Sequence, residues 1–447
     1  MLKINQNNQK FSIRKLSRLV NGALLFTLIS FTPISFSKPI DNLISNNPKE
    51  VIDQVWQIIY RDYLDYSGDY QVDDWIRTRK NLLSSNYESQ PEAHKVIRSM
   101  LKSLNDPYTR FLDPKEFTEM RIDTSGELMG VGIQISVEEK TNKIIVVSPI
   151  EGTPAYKAGI KSKDVIVSIN GKLTDGMAID NAVKLIRGKK GTSVKLGLLR
   201  DNESIEVNLI RDRIEITAVN KNLNQVGQDI QIGYIRLKQF NANSVREMRI
   251  ALTEFEEKKA SAYVLDLRGN PGGLLEASIE IARLWIDSGI IVSTKTKDGI
   301  NEVRRANGRS ITEKPVVVLI NEGSASASEI LSGAIQDNKR GILIGKKTFG
   351  KGLVQSVRAL SDGSGMTVTI AKYLTPNKRD INKNGIKPDI EVELDLYNDQ
   401  KISYDDLGTV KDSQYLVAEN ELVKLLKKQD KLNSYIPKSA NLKLAIR

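Results

Sequence analysis

Hydrophobic positions fall into three successive patterns along this chain. From Pro48 to about Met120 they return every three or four residues, the period of helices with one buried stripe. "KEVIDQVWQIIYRDYL" aligns Val51, Val55, Ile58, Ile59 and Tyr63, and "PEAHKVIRSMLKSL" aligns Val96, Ile97, Met100, Leu101 and Leu104. "NDPYTRFLDP", with two prolines, then breaks the rhythm. From about Phe117 to Arg213 the pattern is that of short strands. "GVGIQISVEE", "KIIVVSPI", "DVIVSINGK", "TSVKLGLLR" and "SIEVNLIRD" are separated by turns at Asn170–Gly171 and Asp201–Asn202, with one amphipathic helix in "AIDNAVKLIRG". That order predicts a compact α+β module. From about Ile214 to Leu396 the apolar runs "AYVLDLRG" and "KPVVVLI" each lead into a tight turn and a helix. This is the mark of a layered α/β core with its site at the strand-to-helix turns. The tail from Tyr397 is polar, and helical near "AENELVKLLKK".

Composition changes this picture mainly at the N-terminus. A chain of 447 residues predicts two or three domains, and 40% hydrophobic with 27% charged residues places it among globular proteins. Residues 1–37 hold five cations and no acid, so without them the net charge falls from +11 to +6. Their basic stretch, apolar run and "SFS" ending predict an export signal cut after Ser37. A retained anchor is the alternative, weakened by Asn21, Gly22 and Pro33 within the apolar run. The remaining charge forms no block of the kind that grips nucleic acid, so no nucleic-acid partner is expected. Cysteine is absent, which excludes a disulfide framework and thiol catalysis.

Candidate chemistry sits on two turns that each follow a buried strand and open a helix, Gly272–Gly273 and "NEGSASASEI". The first N–H groups of a helix are unpaired and carry a partial positive potential, suited to an anionic intermediate. If Ser326 attacks a carbonyl, the N–H of Ala327 and one from the Gly272–Gly273 turn are natural oxyanion donors. A structural reading competes, because Ser326 and Glu329 also spell a capping box, and Ser324 and Ser328 suit ordinary turn roles. His94, the single histidine, lies in the helical region and reads as a surface or boundary residue, which excludes two-histidine zinc chemistry; no metal or cofactor is expected.

Lysine is the remaining ordinary base. Its pKa of about 10.4 must fall to about 7–8 to be useful, which makes charging in the fold about 4 kcal/mol less favourable and demands a tightly held side chain. "KKTFGKGLVQS" fits: Lys351 lies between Gly350 and Gly352 at the entry to an apolar strand. Gln355, four residues on, is expected on the same face and able to hold the amine. The spacing Gly345 to Gly350–Lys351 imitates a P-loop, but Gly352 stands where Ser or Thr should bind magnesium, and "LVQSVRAL" alternates like a strand. In the α+β module, Gly130–Val131–Gly132 before Ile133 reads equally as a structural turn or as a loop that captures a peptide's terminal carboxylate.

"GSASASE", "TFGKG" with its glutamine four residues beyond the lysine, and "LDLRGNPGG" together resemble the carboxyl-terminal processing, or tail-specific, proteases. The resemblance covers nearly the whole chain after the export signal, and from "QDNKRG" to "KYLTP" the chain closely resembles cyanobacterial and plastid members. It implies a helical N-terminal segment over 38–116, a PDZ domain over 117–213, a crotonase-like α/β protease core over 214–396, and a helical tail over 397–447 packing on the core. It further implies a serine–lysine dyad of Ser326 and Lys351, with Gln355 orienting the lysine. Ala327 and a glycine of the turn, taken as Gly272, become the oxyanion donors, and Asp337 a structural aspartate. Gly130, Val131, Gly132 and Ile133 become the carboxylate-binding loop, with Ile135 beside it, and Arg187 couples PDZ position to activity. The implied partners are proteins or peptides with a free C-terminus, with peripheral association to membrane-protein substrates. The implied setting is the periplasm or thylakoid lumen, where such members trim a photosystem II reaction-centre precursor; general periplasmic tail-specific proteolysis is the alternative. A PDZ scaffold with an inert core, and more remotely a P-loop hydrolase, are the readings from other classes.

Overall fold

The computed structural model describes residues 47–138, 141–215, 217–299, 301–393 and 406–435; the expected export signal lies outside them. Among these residues no helix is long and apolar enough to cross a membrane. The N-terminal region holds α1 (Pro48–Asp62), α2 (Val72–Ser84), α3 (Gln90–Lys102), the short strand β1 (Arg110–Leu112) and α4 (Pro114–Ser125). The stripes of α1 and α3 bury Val51, Val55, Ile59, Ile97, Met100 and Leu101 in one cluster. That cluster is closed by Leu360, Met366 and Val368 of the C-terminal half, so the helical segment shares its core with that half. Helix α4 runs through position 117, where the apolar pattern shifts toward strands. Its periodicity is faint, and the local signal is instead the capping box of Asp113 and Glu116 with Pro114 in the first turn.

The strand-rich module follows the expected order: β2 (Glu127–Gly130), β3 (Ile133–Val137), β4 (Ile144–Pro149), α5 (Pro154–Lys157), β5 (Val165–Ile169), β6 (Lys172–Leu173), α6 (Ile179–Ile186), β7 (Ser193–Arg200), β8 (Glu203–Ile210) and β9 (Asp212–Glu215). Its main sheet runs β3-β4-β5-β7-β8, which leaves β3 with a free edge among the described residues. Asn170, Asp201 and Asn202 take positive φ, the tight-turn backbone their types tolerate.

The remaining elements are β10 (Val219–Val226), β11 (Ile230–Leu237), α7 (Ser244–Glu257), β12 (Ala262–Asp266), α8 (Leu275–Trp285), β13 (Ile290–Thr296), β14 (Asn301–Arg305), β15 (Val316–Ile320), α9 (Ala327–Asp337), β16 (Ile342–Gly345), β17 (Leu353–Ala359), β18 (Gly365–Leu374), β19 (Ile390–Glu391) and α10 (Ser413–Tyr435). One sheet has the order β10-β11-β12-β15-β16-β19, parallel from β11 onward. Strands β12 and β15 are buried throughout because both sheet faces are covered. Tyr263, Leu265, Val316 and Val318 face α7, α8 and α9. Ala262, Val264, Val317 and Leu319 point the other way, toward Tyr415, Ala418 and Leu422 of α10. A second sheet, β1-β18-β13-β14 with β17 on β18, joins the N-terminal region to the core through the register Arg110↔Thr367.

Candidate active site

Adjacent parallel strands β12, β15 and β16 end at one edge of the sheet, and the loops that leave them carry the candidate chemistry. The glycine turn follows β12, the serine turn follows β15, and the lysine loop follows β16. Side chains staple the first two together. The Ser324 hydroxyl donates to the Leu267 carbonyl at 2.8 Å and the Ser328 hydroxyl to the Asn270 carbonyl at 2.9 Å. Asn321 Oδ1 accepts the Gly269 N–H at 2.8 Å, and Asn270 O accepts the Ala325 N–H at 3.1 Å. Ser324 and Ser328 are thereby occupied in holding the turns, which separates Ser326 from them.

Ser326 is the odd backbone of the group, with φ 53° and ψ −112°. A residue that only caps a helix sits in the extended region with negative φ. A serine held at positive φ is strained by about 1–3 kcal/mol, and such strain persists where the surroundings over-determine it, typically at functional sites. A serine forced onto a sharp strand-to-helix turn is the geometry of a nucleophile elbow.

Glu329 supplies the over-determination. It stands in capping-box relation to Ser326, but the carboxylate, fully buried, does more than cap. Oε2 accepts the N–H of Ser326 and the N–H of Lys351, each at 2.8 Å. Oε1 accepts the Gly350 N–H at 2.7 Å and the Thr348 hydroxyl at 2.6 Å. One carboxylate oxygen therefore binds both the serine turn and the lysine loop. The buried Tyr373 hydroxyl repeats the bridge from β18, shared between the Ser326 carbonyl at 3.2 Å and the Lys351 carbonyl. Chain pattern marks Glu329 only as a cap and Tyr373 only as a strand residue, so neither role is visible before folding. The "SxxE" spacing was the one available hint.

The Lys351 amine is held below the usual lysine range. Burial is the main cause and the Arg110 guanidinium adds to it, while Asp106 and Glu329 pull the other way. The ammonium group lies over the Tyr108 ring, 4.8 Å from its centroid. Among the described residues no hydrogen bond joins Lys351 Nζ to the Ser326 hydroxyl, and none joins it to Gln355. Gln355 lies on β17 with its Nε2 buried and without a partner among the described residues. The register shift beside it, between Val354 and Gln355, leaves Ile370 of β18 as the extra residue.

The oxyanion candidates are next to one another. Ala327 opens α9, and a methyl group on Gly272 (φ +101°) would meet the Ala327 nitrogen at 2.9 Å and the Ala325 carbonyl oxygen at 2.7 Å. No side chain fits there. The Gly272 N–H, however, is already donated to Asn270 Oδ1 at 2.9 Å. Gly273, whose N–H has no acceptor among the described residues, is the turn's free donor. The sequence expectation of Gly272 in that role is revised accordingly, since an N–H given to a neighbouring side chain cannot also receive an oxyanion at full strength.

In the strand-rich module, Gly130, Val131, Gly132, Ile133 and Arg187 all line one cavity of about 200 Å³, together with Val183 and Ile186 of α6. Gly132 has φ +78°, and a Cβ there would strike the Thr153 side chain at 2.3 Å. The cavity opens beside the free edge of β3, so an extended peptide can pair with the strand while its end enters the loop. His94 is far from this role: it packs on Phe111 and bonds Asp362 at 2.7 Å, joining α3 to the β17–β18 turn. Asp337 is likewise a strut, accepting the Asn377 N–H at 2.9 Å and pairing with Arg379. After Lys351 the chain enters strand β17, not a helix, so phosphate-cradling geometry is absent.

A strained serine, spare N–H groups and a desolvated amine on one sheet edge, with a separate strand-edge cleft, define a serine hydrolase that takes peptides. Comparison with known proteins agrees. The models of peptidase family S41 and of the PDZ domain match residues 231–392 and 119–199. A carboxyl-terminal-processing protease of Synechocystis sp. is 40% identical over 398 residues, covering 89% of this chain and 92% of that one. The chloroplastic carboxyl-terminal-processing peptidase 3 of Arabidopsis thaliana is 36% identical, covering 83% and 75%. A solved photosystem II D1 C-terminal processing protease is 35% identical with a TM-score of 0.52, covering 78% and 94%. The chain belongs to the carboxyl-terminal-processing proteases of peptidase family S41 and is a serine-type peptidase with a PDZ domain.

Proposed function

We propose that Ser326 is the nucleophile and Lys351 the general base of an endopeptidase that cuts near the C-terminus of its substrates. The observation that carries this reading is the single Glu329 oxygen that binds the backbones of both residues. A neutral Lys351 amine takes the Ser326 proton as the hydroxyl oxygen attacks the scissile carbonyl. Ala327 and Gly273 N–H groups receive the oxyanion, and the lysine, now protonated, returns its proton to the leaving amine. Water then attacks the acyl-enzyme by the same steps in reverse. The cleft at Gly130–Ile133 takes the substrate's terminal carboxylate, Arg187 lies at its rim, and the chain lies along β3. We place it in an exported setting, periplasm or thylakoid lumen, and the substrate we favour is a photosystem II reaction-centre precursor, in keeping with the relative whose name gives photosystem II D1 C-terminal processing. A membrane-protein substrate of this kind makes a peripheral encounter with the bilayer part of the proposal.

The test compares the full chain with Ser326→Ala and Lys351→Ala on a fluorogenic peptide ending in a free apolar C-terminus. Each variant should lose turnover by about 10⁴-fold or more while keeping the circular dichroism of the parent. Normal turnover by the Lys351→Ala protein would remove the mechanism.

A further inference from the structure

The loop between α3 and β1 belongs to the N-terminal helical region, yet it reaches the lysine. Its Tyr108 ring faces the Lys351 ammonium, which lies 4.8 Å from the ring centroid. The loop is unusually well anchored for a connection. Asp106, 6% exposed, accepts the Tyr108 N–H at 2.9 Å and the Tyr66 hydroxyl at 3.2 Å through Oδ1. Its Oδ2 accepts the hydroxyls of Thr109 at 2.6 Å and Thr369 at 2.7 Å. Thr367 donates its hydroxyl to the Tyr108 carbonyl at 2.6 Å, and Thr109 Oγ1 accepts the Thr369 N–H at 3.0 Å. Both threonines of that pair, Thr367 and Thr369, lie on β18, the strand that pairs with β17 directly after Lys351. The ring is thus fixed to the same strand that fixes the lysine.

We propose that the 105–110 loop is a working part of the catalytic site, in which the Tyr108 ring walls the Lys351 amine from water and Asp106 holds the ring in place. Tyr108 and Asp106 are positioning residues acting through the base, so the inference rests on the reading of Lys351 given above. Three charged groups face the amine: Arg110 of β1 repels an ammonium, and Asp106 and Glu329 attract one. Tyr108 and Tyr373 stay neutral near it, their hydroxyls held above the usual tyrosine range chiefly by burial. A ring face also attracts an ammonium, which favours the protonated lysine. The same ring displaces the water that would solvate that charge, and burial is the larger influence at this amine. Water exclusion therefore sets the sign.

The experiment is the pH dependence of kcat/KM for the full chain on the fluorogenic peptide, for wild type, Tyr108→Ala, Tyr108→Leu and Lys351→Ala. Tyr108→Ala opens the wall, so the acid limb should move to higher pH by about one pH unit. Activity on that limb then falls about tenfold and recovers on the alkaline plateau. Tyr108→Leu keeps the wall and removes the ring face, so its limb should stay or move slightly to lower pH. A Tyr108→Ala limb that does not move, whether the rate is full or uniformly reduced, overturns the proposal. If Tyr108→Ala does not fold, an upward shift in Tyr108→Leu overturns it instead. A fully active Lys351→Ala protein would sink the base assignment; an inactive one beside an unmoved Tyr108→Ala limb sinks the loop's role alone.

Discussion

The chain contains two sites built on opposite principles. Around Ser326 nearly every polar atom is committed: Glu329, Asn270, Ser324, Ser328 and Tyr373 cross-link three loops within a buried setting. The PDZ cleft has little of this. Apart from Arg187, glycines and aliphatic side chains line it, and among the described residues the edge of β3 is open. The bonds by which the module meets the core include the exposed pair of Arg246 with Glu215. The difference suits the tasks proposed for them. An oxyanion must find its donors already in place, because reorganising them during the reaction raises the barrier. A captured peptide end brings its own strand and its own hydrogen bonds, and an open edge suffices for many sequences.

Perturbing the rigid half should therefore cost stability or kcat, and perturbing the open half should cost KM. The largest effect is expected where α10 joins the core. Buried Arg268, which leads into the glycine turn, pairs with Asp266 at 2.6 Å and Asp412 at 2.5 Å. Asp412→Ala leaves that cation half-paired in the interior and should destabilise the fold by about 3–5 kcal/mol. Denaturant midpoints of the two proteins measure this; a midpoint that does not fall would mean the tail is dispensable. Glu329→Gln comes next. An amide cannot accept four donors, so the serine and lysine loops should drift apart by a fraction of an ångström or more, lowering kcat about a hundredfold with KM nearly unchanged. Unaltered kcat would show that Tyr373 holds the loops alone.

In the open half, amidating the peptide's C-terminus should raise KM about tenfold and leave kcat alone, since it removes one charge from a partly exposed contact. Equal cleavage of both peptides would count against carboxylate capture. The smallest effect concerns the lysine and pH. Its pKa is depressed in the fold, so below that value the ammonium is charged in both states and its burial cost is fully present. As pH rises toward the ordinary lysine value the unfolded chain binds more protons, and the cost disappears. Lys351→Met should therefore be more stable than the parent at neutral pH, with the gain fading in alkali. A constant difference across pH would show that the amine is not desolvated.

Much of this architecture could be read before folding, for identifiable reasons. Helices α1, α3 and α6 show their buried stripes, and β12 and β15 show unbroken apolar runs because both of their faces are covered. Ser326, Ala327 and Lys351 could be nominated from turn position and from the shortage of other bases. The bulge beside Gln355, with Ile370 of β18 as its extra residue, is invisible to a period-two pattern. Gly272 and Gly273 could not be separated, since the deciding bond is to the side chain of Asn270. Tyr108 was passed over as part of a proline-rich break.

What the chain alone determined is local: the periodicities, the caps, the turns that accept positive φ, and the residue types able to do acyl transfer. Folding decided whatever depends on distance between remote segments. It put one glutamate oxygen between two loops, one tyrosine ring against the Lys351 amine, and a C-terminal helix under the sheet. Local preferences act through the backbone of a few neighbours, whereas desolvation and hydrogen bonding depend on which distant groups are brought within a few ångströms.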